Sequence, residues 1–366
     1  MTRSRVLPLG IALGLIAALL AGGGAAAQVT TPSPPPVGHV FIINLENKGY
    51  DETWGPSSAA PYLSQTLRAQ GVLLSQYHGI GHNSLDNYIA QVSGQGPNAD
   101  TQGDCQVYTR FVRTGTATPG QAVGRGCVYP SSVPTLAGQL TGAGRTWKGY
   151  MEDMGKPCRH PALGAVDDTQ RARAGDQYAV RHNPFAYFAS ITGSAACDSD
   201  VDLSALPTDL QTTQTTPNLS YITPNLCNDA HDSPCVDGKP GGLASADAWL
   251  RHWVPQITAS PAFQKDGMLV ITFDESDGPQ SDAGACCGEG PGPNTPLPGI
   301  TGLGGGRVGA LVLSPRFVTP GTWSDTPYNH YSLLASVEDL FGLPYLGYAD
   351  APGLPRFGLD VYNRGN

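Results

Sequence analysis

Gly267-Met268-Leu269-Val270-Ile271-Thr272-Phe273-Asp274-Glu275-Ser276-Asp277-Gly278 is the stretch that decides the fold. The run from Met268 to Phe273 is rich in β-branched residues and closed by acids and glycine. That is the pattern of a strand buried on both faces inside a parallel sheet. Ligand sites in open α/β sheets lie beyond the carboxyl ends of the strands, so Asp274 and Glu275 stand where a metal or a phosphate-handling group belongs. Consecutive strand residues point to opposite faces, so both acids serve one site only if the strand ends near Phe273, and Ser276-Asp277-Gly278 supplies that turn. The alternative is an ordinary polar exit from a strand, with solvated carboxylates.

Upstream, His39 to Leu45 repeats the buried-strand pattern and also ends in an acid, within Glu46-Asn47-Lys48-Gly49-Tyr50-Asp51. Two such strand ends point to a shared site. Ala59 to Gln70 has apolar residues at helical spacing, with Leu63 and Leu67, and stops at Gly71. Val72 to Tyr77 reads as the next strand, which gives βαβ order. Then comes Gly79-Ile80-Gly81-His82-Asn83-Ser84-Leu85-Asp86-Asn87-Tyr88, a glycine-bearing turn feeding a helix with Leu85, Ile89 and Val92 on one face. Ser84 falls at the N-cap or first turn. It either caps the helix or uses the free N–H groups and positive dipole end to stabilise a phosphoryl group it carries, with Asn87 one turn on as a donor to that group.

The segment Thr101 to Thr216 is loop-rich and reads as small elements covering the strand ends. Within it, Thr146 to Met151 is a strand ending at Glu152, and Arg181-His182-Asn183-Pro184-Phe185 sets polar groups beside aromatics. His182 is either a structural histidine or a site residue. Leu219 to Thr223 is another core strand. Beyond it, Asn225-Leu226-Cys227-Asn228-Asp229-Ala230-His231-Asp232 brings Asp229 and His231 towards one point, or forms a solvated turn. Gly242 to Ile257 is an amphipathic helix presenting Leu243, Ala246, Leu250, Trp253 and Ile257 to the sheet. A Gly/Pro-rich loop follows the Met268 strand through Gly306 and reads as a flap over the site. Arg307 to Leu313 is a further strand, and Tyr328-Asn329-His330-Tyr331-Ser332 opens the last helix, with His330 as either an N-terminal structural residue or a site residue.

Met1 to Ala27 carries Arg3 and Arg5, an apolar run from Val6 to Leu20 and the small-residue end Ala25-Ala26-Ala27, the pattern of a secretory signal peptide cleaved after Ala27. Gln28 to Gly38 is a stiff Pro-rich linker, and residues 39–366 read as a single domain with long loops. No other stretch approaches a membrane span, so a soluble, secreted or periplasmic chain is expected. The whole chain has net charge -9; without Arg3 and Arg5, 19 basic residues face 30 acidic ones, a net of -11. That excludes a broad nucleic-acid surface. The eight cysteines favour disulfides in an exported protein. Proximity suggests Cys105 with Cys127, Cys158 with Cys197 and Cys227 with Cys235, leaving adjacent Cys286 and Cys287 either paired or reaching elsewhere. A Cys-rich zinc site is the weaker alternative, because no CxxC pair occurs.

Taken together, Glu46-Asn47, His82 to Asn87, Asn228 to Asp232, Asp274-Glu275 and Asn329 to Ser332 resemble the bacterial phosphoesterase family of secreted acid phosphatases and phospholipases C, within the alkaline phosphatase superfamily. The resemblance runs from about His39 to Gly342 over five motifs in order. Ser84-Leu85-Asp86-Asn87 is also similar to the Thr-Phe-Pro-Asn stretch of nucleotide pyrophosphatase/phosphodiesterases, whose threonine is the nucleophile. The family implies a three-layer α/β/α sandwich with a mostly parallel sheet, alkaline phosphatase-like. It implies Ser84 as nucleophile, Glu46, Asn47, Asp274 and Glu275 as metal ligands, and Asp229, His231 and His330 on the phosphate side. His82, His182, His231 and His330 are candidates to protonate the leaving alkoxide. Oxygen donors suit Ca²⁺, Mg²⁺ or Mn²⁺, with zinc possible through histidine help. The expected substrate is a small-molecule or lipid phosphate ester, hydrolysed through a phosphoserine. Phospholipase C or phosphodiesterase activity, or an inactive surface binding protein, are the alternatives. Asn83 and Asp86 depart from the family, standing where proline is common.

Overall fold

The computed structural model describes residues 1–2 and 33–364. The signal-peptide reading of Met1–Ala27 therefore lies outside the described residues, apart from 1–2, as does the first part of the Pro-rich linker, residues 28–32. Residues from Pro34 onward form one compact unit.

Eight strands build its sheet: β1 (His39–Leu45), β2 (Val72–Leu74), β3 (Trp147–Met151), β4 (Asp200–Asp202), β5 (Leu219–Thr223), β6 (Gly267–Phe273), β7 (Ala310–Leu313) and β8 (Thr322–Ser324), in the order β8-β2-β7-β6-β1-β5-β3-β4. Every pairing is parallel except those of β7, which runs antiparallel to β6 and β2. All residues of β1 and β6 are buried, as continuous apolar runs require when both sheet faces are covered. Phe41 of β1 meets Phe263, ring centroids 6.2 Å apart. On the opposite face Asn44 Oδ1 accepts a 3.1 Å hydrogen bond from Gln91 Nε2. The first face is covered by α3 (Gly242–Ala259) and α4 (Pro261–Asp266), the second by α1 (Ser84–Ser93), α2 (Leu136–Gly142) and α5 (His330–Phe341). The result is an α/β/α sandwich.

Register sets up the site. Leu45 lies beside Phe273, so β1 and β6 end at the same level and Glu46 and Asp274 leave the sheet side by side. The Asp274 N–H then donates to the Leu45 carbonyl (2.9 Å), and the Glu46 N–H to the Asp229 carbonyl beyond β5 (2.8 Å).

Three elements differ from expectation. Residues 62–70 are a π turn followed by a 3₁₀ turn rather than an α-helix, and buried Asp247 Oδ1 takes the first-turn Leu63 N–H at 2.9 Å, a donor with no partner inside the segment. The strand expected over Val72 to Tyr77 stops at Leu74, and Tyr77–His78 pairs separately with Tyr328–Asn329. The strand expected from Arg307 starts only at Ala310, after Gly309 at φ +74°, where a Cβ would come within 2.6 Å of the Trp54 indole nitrogen. The three proximity disulfides form, and Cys286 pairs with Cys287. Among the described residues no helix is long and apolar enough to cross a membrane. The Gly/Pro-rich loop after β6 folds over the turn Gly79–His82, with the Gly305 N–H on the Gly79 carbonyl and the Gly79 N–H on the Gly306 carbonyl (both 2.9 Å).

Candidate active site

Four segments meet beyond the carboxyl ends of β1, β5 and β6 and at the start of α1. Ser84 is the first residue of α1, and its hydroxyl donates to Glu46 Oε2 at 2.7 Å. Tyr88, four residues on and so on the same helix face, donates to Glu46 Oε1. Its ring also stacks on His182, centroids 5.4 Å apart and 6° from parallel. His182 lies between two carboxylates, Nε2 3.4 Å from Glu46 Oε2 and Nδ1 3.3 Å from Asp229 Oδ2. Glu46, His182 and Asp229 each offer a ligand atom within 4.8 Å of the others.

The local backbone is strained where these groups are delivered. Asn47 (φ +48°), Asn83 (φ +91°) and Ala230 (φ +89°) each adjoin a site residue, Glu46, Ser84 and Asp229 respectively. Positive φ outside glycine is costly and gathers at functional sites. It also accounts for Asn83 where the family often has proline, whose ring fixes φ near −65°.

Asp274 Oδ1 accepts the N–H groups of Asn47 (3.1 Å) and Glu275 (2.7 Å), which leaves Oδ2 free. Glu275, expected as a ligand, accepts Asn47 Nδ2 (2.8 Å) at one oxygen and Asn87 Nδ2 (3.0 Å) at the other. It orients both amides. Asn87 also differs from the expected phosphoryl donor, because its amide nitrogen is held by Glu275 and the Gly81 carbonyl, while its oxygen accepts from the Ile80 and Gly81 N–H groups. It ties the glycine turn to the helix.

The histidines separate clearly. His330 is not placed to protonate a leaving group: Nε2 is 2.6 Å from the Asp274 carbonyl and Nδ1 3.0 Å from the Tyr77 hydroxyl. With Nε2 donating and Nδ1 accepting, it is a neutral ring that fixes the Asp274 backbone, and burial lowers its pKa to about 4. In His82, Nε2 meets the Asp282 carbonyl of the covering loop at 2.7 Å and Nδ1 lies 3.9 Å from Glu275 Oε1. Burial lowers its pKa as well. His231 is the exposed one, with Nδ1 2.8 Å from Asp232 Oδ1 and Nε2 3.5 Å from the Arg181 guanidinium. Its ring centroid is 6.1 Å from that of His182.

Charge in this pocket is frustrated. Burial, then the neighbouring Asp274 and Asp229, push the Glu46 carboxyl well above its usual range, and burial raises Asp229 too and lifts Asp274 to about 6. Burial, reinforced by Arg181, drives His182 well below its usual range. Asn47 Oδ1, Asp229 Oδ2, Asp274 Oδ2 and both His182 ring nitrogens have no hydrogen-bond partner among the described residues. Buried polar groups left this way are costly, and converging oxygen and imidazole donors fit a divalent cation.

Arg181 and Tyr88 join the site without having been expected there. Tyr88 was readable from its four-residue spacing to Ser84. Buried Arg181 had only its place beside His182 as a signal.

Residues 56–344 match the model of the Phosphoesterase family. The chain is 27% identical over 311 residues to the phosphatidylinositol-3-phosphatase of Mycobacterium tuberculosis, covering 85% of this chain and 79% of that one. It is 28% identical over 307 residues to the phosphate-repressible acid phosphatase of Penicillium chrysogenum, covering 84% of this chain but 59% of the fungal protein, less than two thirds of its length. Among solved structures it is similar to a protein in the alkaline phosphatase superfamily from Vibrio parahaemolyticus, at TM-score 0.49 and 12% identity over 86% of this chain and 69% of that one. With the family match spanning most of the sequence, the chain belongs to the phosphoesterase family of phosphoric-ester hydrolases.

Proposed function

We propose that the chain is a metal-dependent phosphomonoesterase of the acid phosphatase type that works through a phosphoserine at Ser84. The observation that carries this reading is the 2.7 Å contact from Ser84 Oγ to Glu46 Oε2, at a helix start beside unpartnered carboxylate oxygens. Glu46, Asn47, Asp274, Asp229 and His182 would hold the cation. A divalent ion bound there adds positive charge opposite the phosphate oxygens and favours the serine alkoxide.

Glu46 Oε2 already accepts the Ser84 hydroxyl, so it receives that proton as Oγ bonds to phosphorus and the bond to the leaving alkoxide breaks. His231, the exposed histidine of the site, gives the alkoxide its proton. Arg181 beside it offsets negative charge on the phosphoryl group. Water then cleaves the phosphoserine, releasing phosphate and restoring the Ser84 hydroxyl. The hard oxygen donors favour Ca²⁺, Mg²⁺ or Mn²⁺, and the His182 nitrogens extend the range to zinc.

Both relatives are named as phosphatases, which favours phosphomonoesters over the phospholipase C reading. Four disulfides favour an oxidising, extracytoplasmic compartment. Acid quenching during turnover should leave phosphate on the peptide containing Ser84, and chelation followed by elemental analysis should remove activity together with the metal. Turnover without a labelled Ser84 peptide would overturn the covalent route, and full activity in metal-free protein would overturn the cation assignment. Faster turnover of a bis-ester than of its monoester would overturn the substrate class.

A further inference from the structure

A cavity of about 190 Å³ lies apart from the Ser84 cluster, between the Gly/Pro-rich loop, the start of α5 and the segment 348–354. None of Glu46, Ser84, Asp229 or Asp274 lines it. Its volume is several times the roughly 30 Å³ share of one liquid water, so it admits a group of several non-hydrogen atoms.

Its walls are mostly apolar, including Ile80, Leu303 and Leu354, with Tyr331 and Tyr348 forming a corner whose ring centroids are 5.2 Å apart and whose planes cross at 58°. Glycines keep the corner open. A Cβ on Gly96 would come within 2.8 Å of the Tyr348 ring and 3.5 Å of the Tyr331 hydroxyl, and one on Gly292 within 3.6 Å of the Tyr348 hydroxyl. The lining contains a single carboxylate, Glu289, and no lysine or arginine. Glu289 Oε1 takes the Asn329 side-chain amide. Oε2 is shielded from solvent and has no partner among the described residues.

An unpartnered carboxylate oxygen needs a donor or a cation, and tyrosine ring faces attract cations and repel anions. One carboxylate among apolar walls is too few donors for a metal ion. We infer that this cavity is a binding site for a small organic ammonium group, held by Glu289 and the Tyr331–Tyr348 corner. Burial holds the Glu289 carboxyl well above its usual range while it stands alone, and an arriving ammonium ion supplies the opposite charge that favours its ionised form.

Titration calorimetry on the whole protein tests the site with choline and with 3,3-dimethylbutan-1-ol, its neutral isostere. Choline should bind, and the isostere should bind at least about tenfold more weakly. Glu289→Gln, which keeps an acceptor for Asn329, should weaken choline at least about tenfold with an unchanged melting temperature. Equal binding of the neutral alcohol, no choline binding by the wild type, or unchanged binding by Glu289→Gln would each overturn the assignment. The source of the ammonium is read from inhibition kinetics in the presence of the phosphate ester of an amino alcohol. If choline competes with that ester, the pocket receives the substrate's own leaving group; if it binds without competing, the ligand is a free amine.

Discussion

Two helices, α1 and α5, start against the same polar cluster, and they finish their first turns in opposite ways. At α5, Asn329 Oδ1 accepts the Ser332 N–H at 2.9 Å and the Ser332 hydroxyl at 3.1 Å, an ordinary side-chain cap. At α1, Asn83 makes no side-chain cap, the Leu85 N–H is taken by distant Asp104 Oδ1 at 3.0 Å, and the Ser84 hydroxyl turns away from the helix to Glu46. A polar side chain at a helix start normally satisfies its own backbone. Where it is diverted to a carboxylate instead, the positive end of the helix is left to an anion. The capping reading of Ser84 fails on this contact, while at α5 Asn329 does cap.

The largest expected effect follows directly. Because Ser84 does not cap, the stability change in Ser84→Ala should come only from the lost bond to buried Glu46, and the protein should remain folded and soluble. Phosphatase activity should fall by roughly three orders of magnitude or more, as for other serine nucleophiles. Retention of more than about a tenth of wild-type activity, which is ~1.4 kcal/mol in the barrier, would mean that water attacks phosphorus directly. Tyr88→Phe comes next. It removes the donor to Glu46 Oε1 while keeping the ring stacked on His182, so metal affinity or kcat/KM should drop about 10- to 100-fold in a folded protein. Unchanged metal titration and unchanged kinetics would show that Glu46 needs no second support.

The sequence made the strand ends legible because burial on both faces writes a continuous apolar run, and the acids closing those runs at Glu46 and Asp274 needed only the register to meet. Side-chain orientation was not legible. Nothing in the spacing of Asp274 and Glu275 reveals that Asn47 and Asn87 occupy both oxygens of Glu275, because those amides arrive from two other segments. His330 was visible as a polar residue at a helix start, but its choice of a backbone carbonyl over substrate depends on where β6 ends. Arg181 was hidden for the same reason, in a loop-rich segment with no hydrophobic period. The irregular turns at 62–70 escaped because apolar spacing marks a helical segment without distinguishing π and 3₁₀ turns from an α-helix.

At α5 the cap itself can be removed. Asn329→Ala should cost about 1 kcal/mol of stability, with a range of roughly 0.5–2, read from denaturant midpoints. Activity at a temperature well below the melt should stay within a few-fold of wild type. A loss of activity as deep as that of Ser84→Ala would erase the distinction between the two helix starts.

The smallest effect at acidic pH is expected from the other end of α5. Glu338 reaches past the helix terminus, Oε1 accepting the Leu346 N–H at 3.0 Å, so α5 is closed at both ends by its own side chains. Oε2 is buried without a partner among the described residues. An ionised carboxylate is costly to bury, and a negative charge in the last turn would also oppose the helix dipole. Burial accordingly pushes the Glu338 carboxyl up to about 9 from an ordinary 4.5. The folded chain thus keeps a proton that the unfolded chain gives up as pH rises above 4.5. The stability from this group is complete below about that pH and is lost progressively until pH reaches about 9, with a slope of at most ~1.4 kcal/mol per pH unit. Glu338→Gln keeps the acceptor for Leu346 and cannot ionise, so it should match wild type near pH 5 and gain on it steadily towards pH 9. Melting temperatures of the two proteins across that range measure the difference directly, and other titrating groups cancel between them. A difference that stays constant with pH would mean that Glu338 is ionised in the fold and that α5 ends on a buried charge.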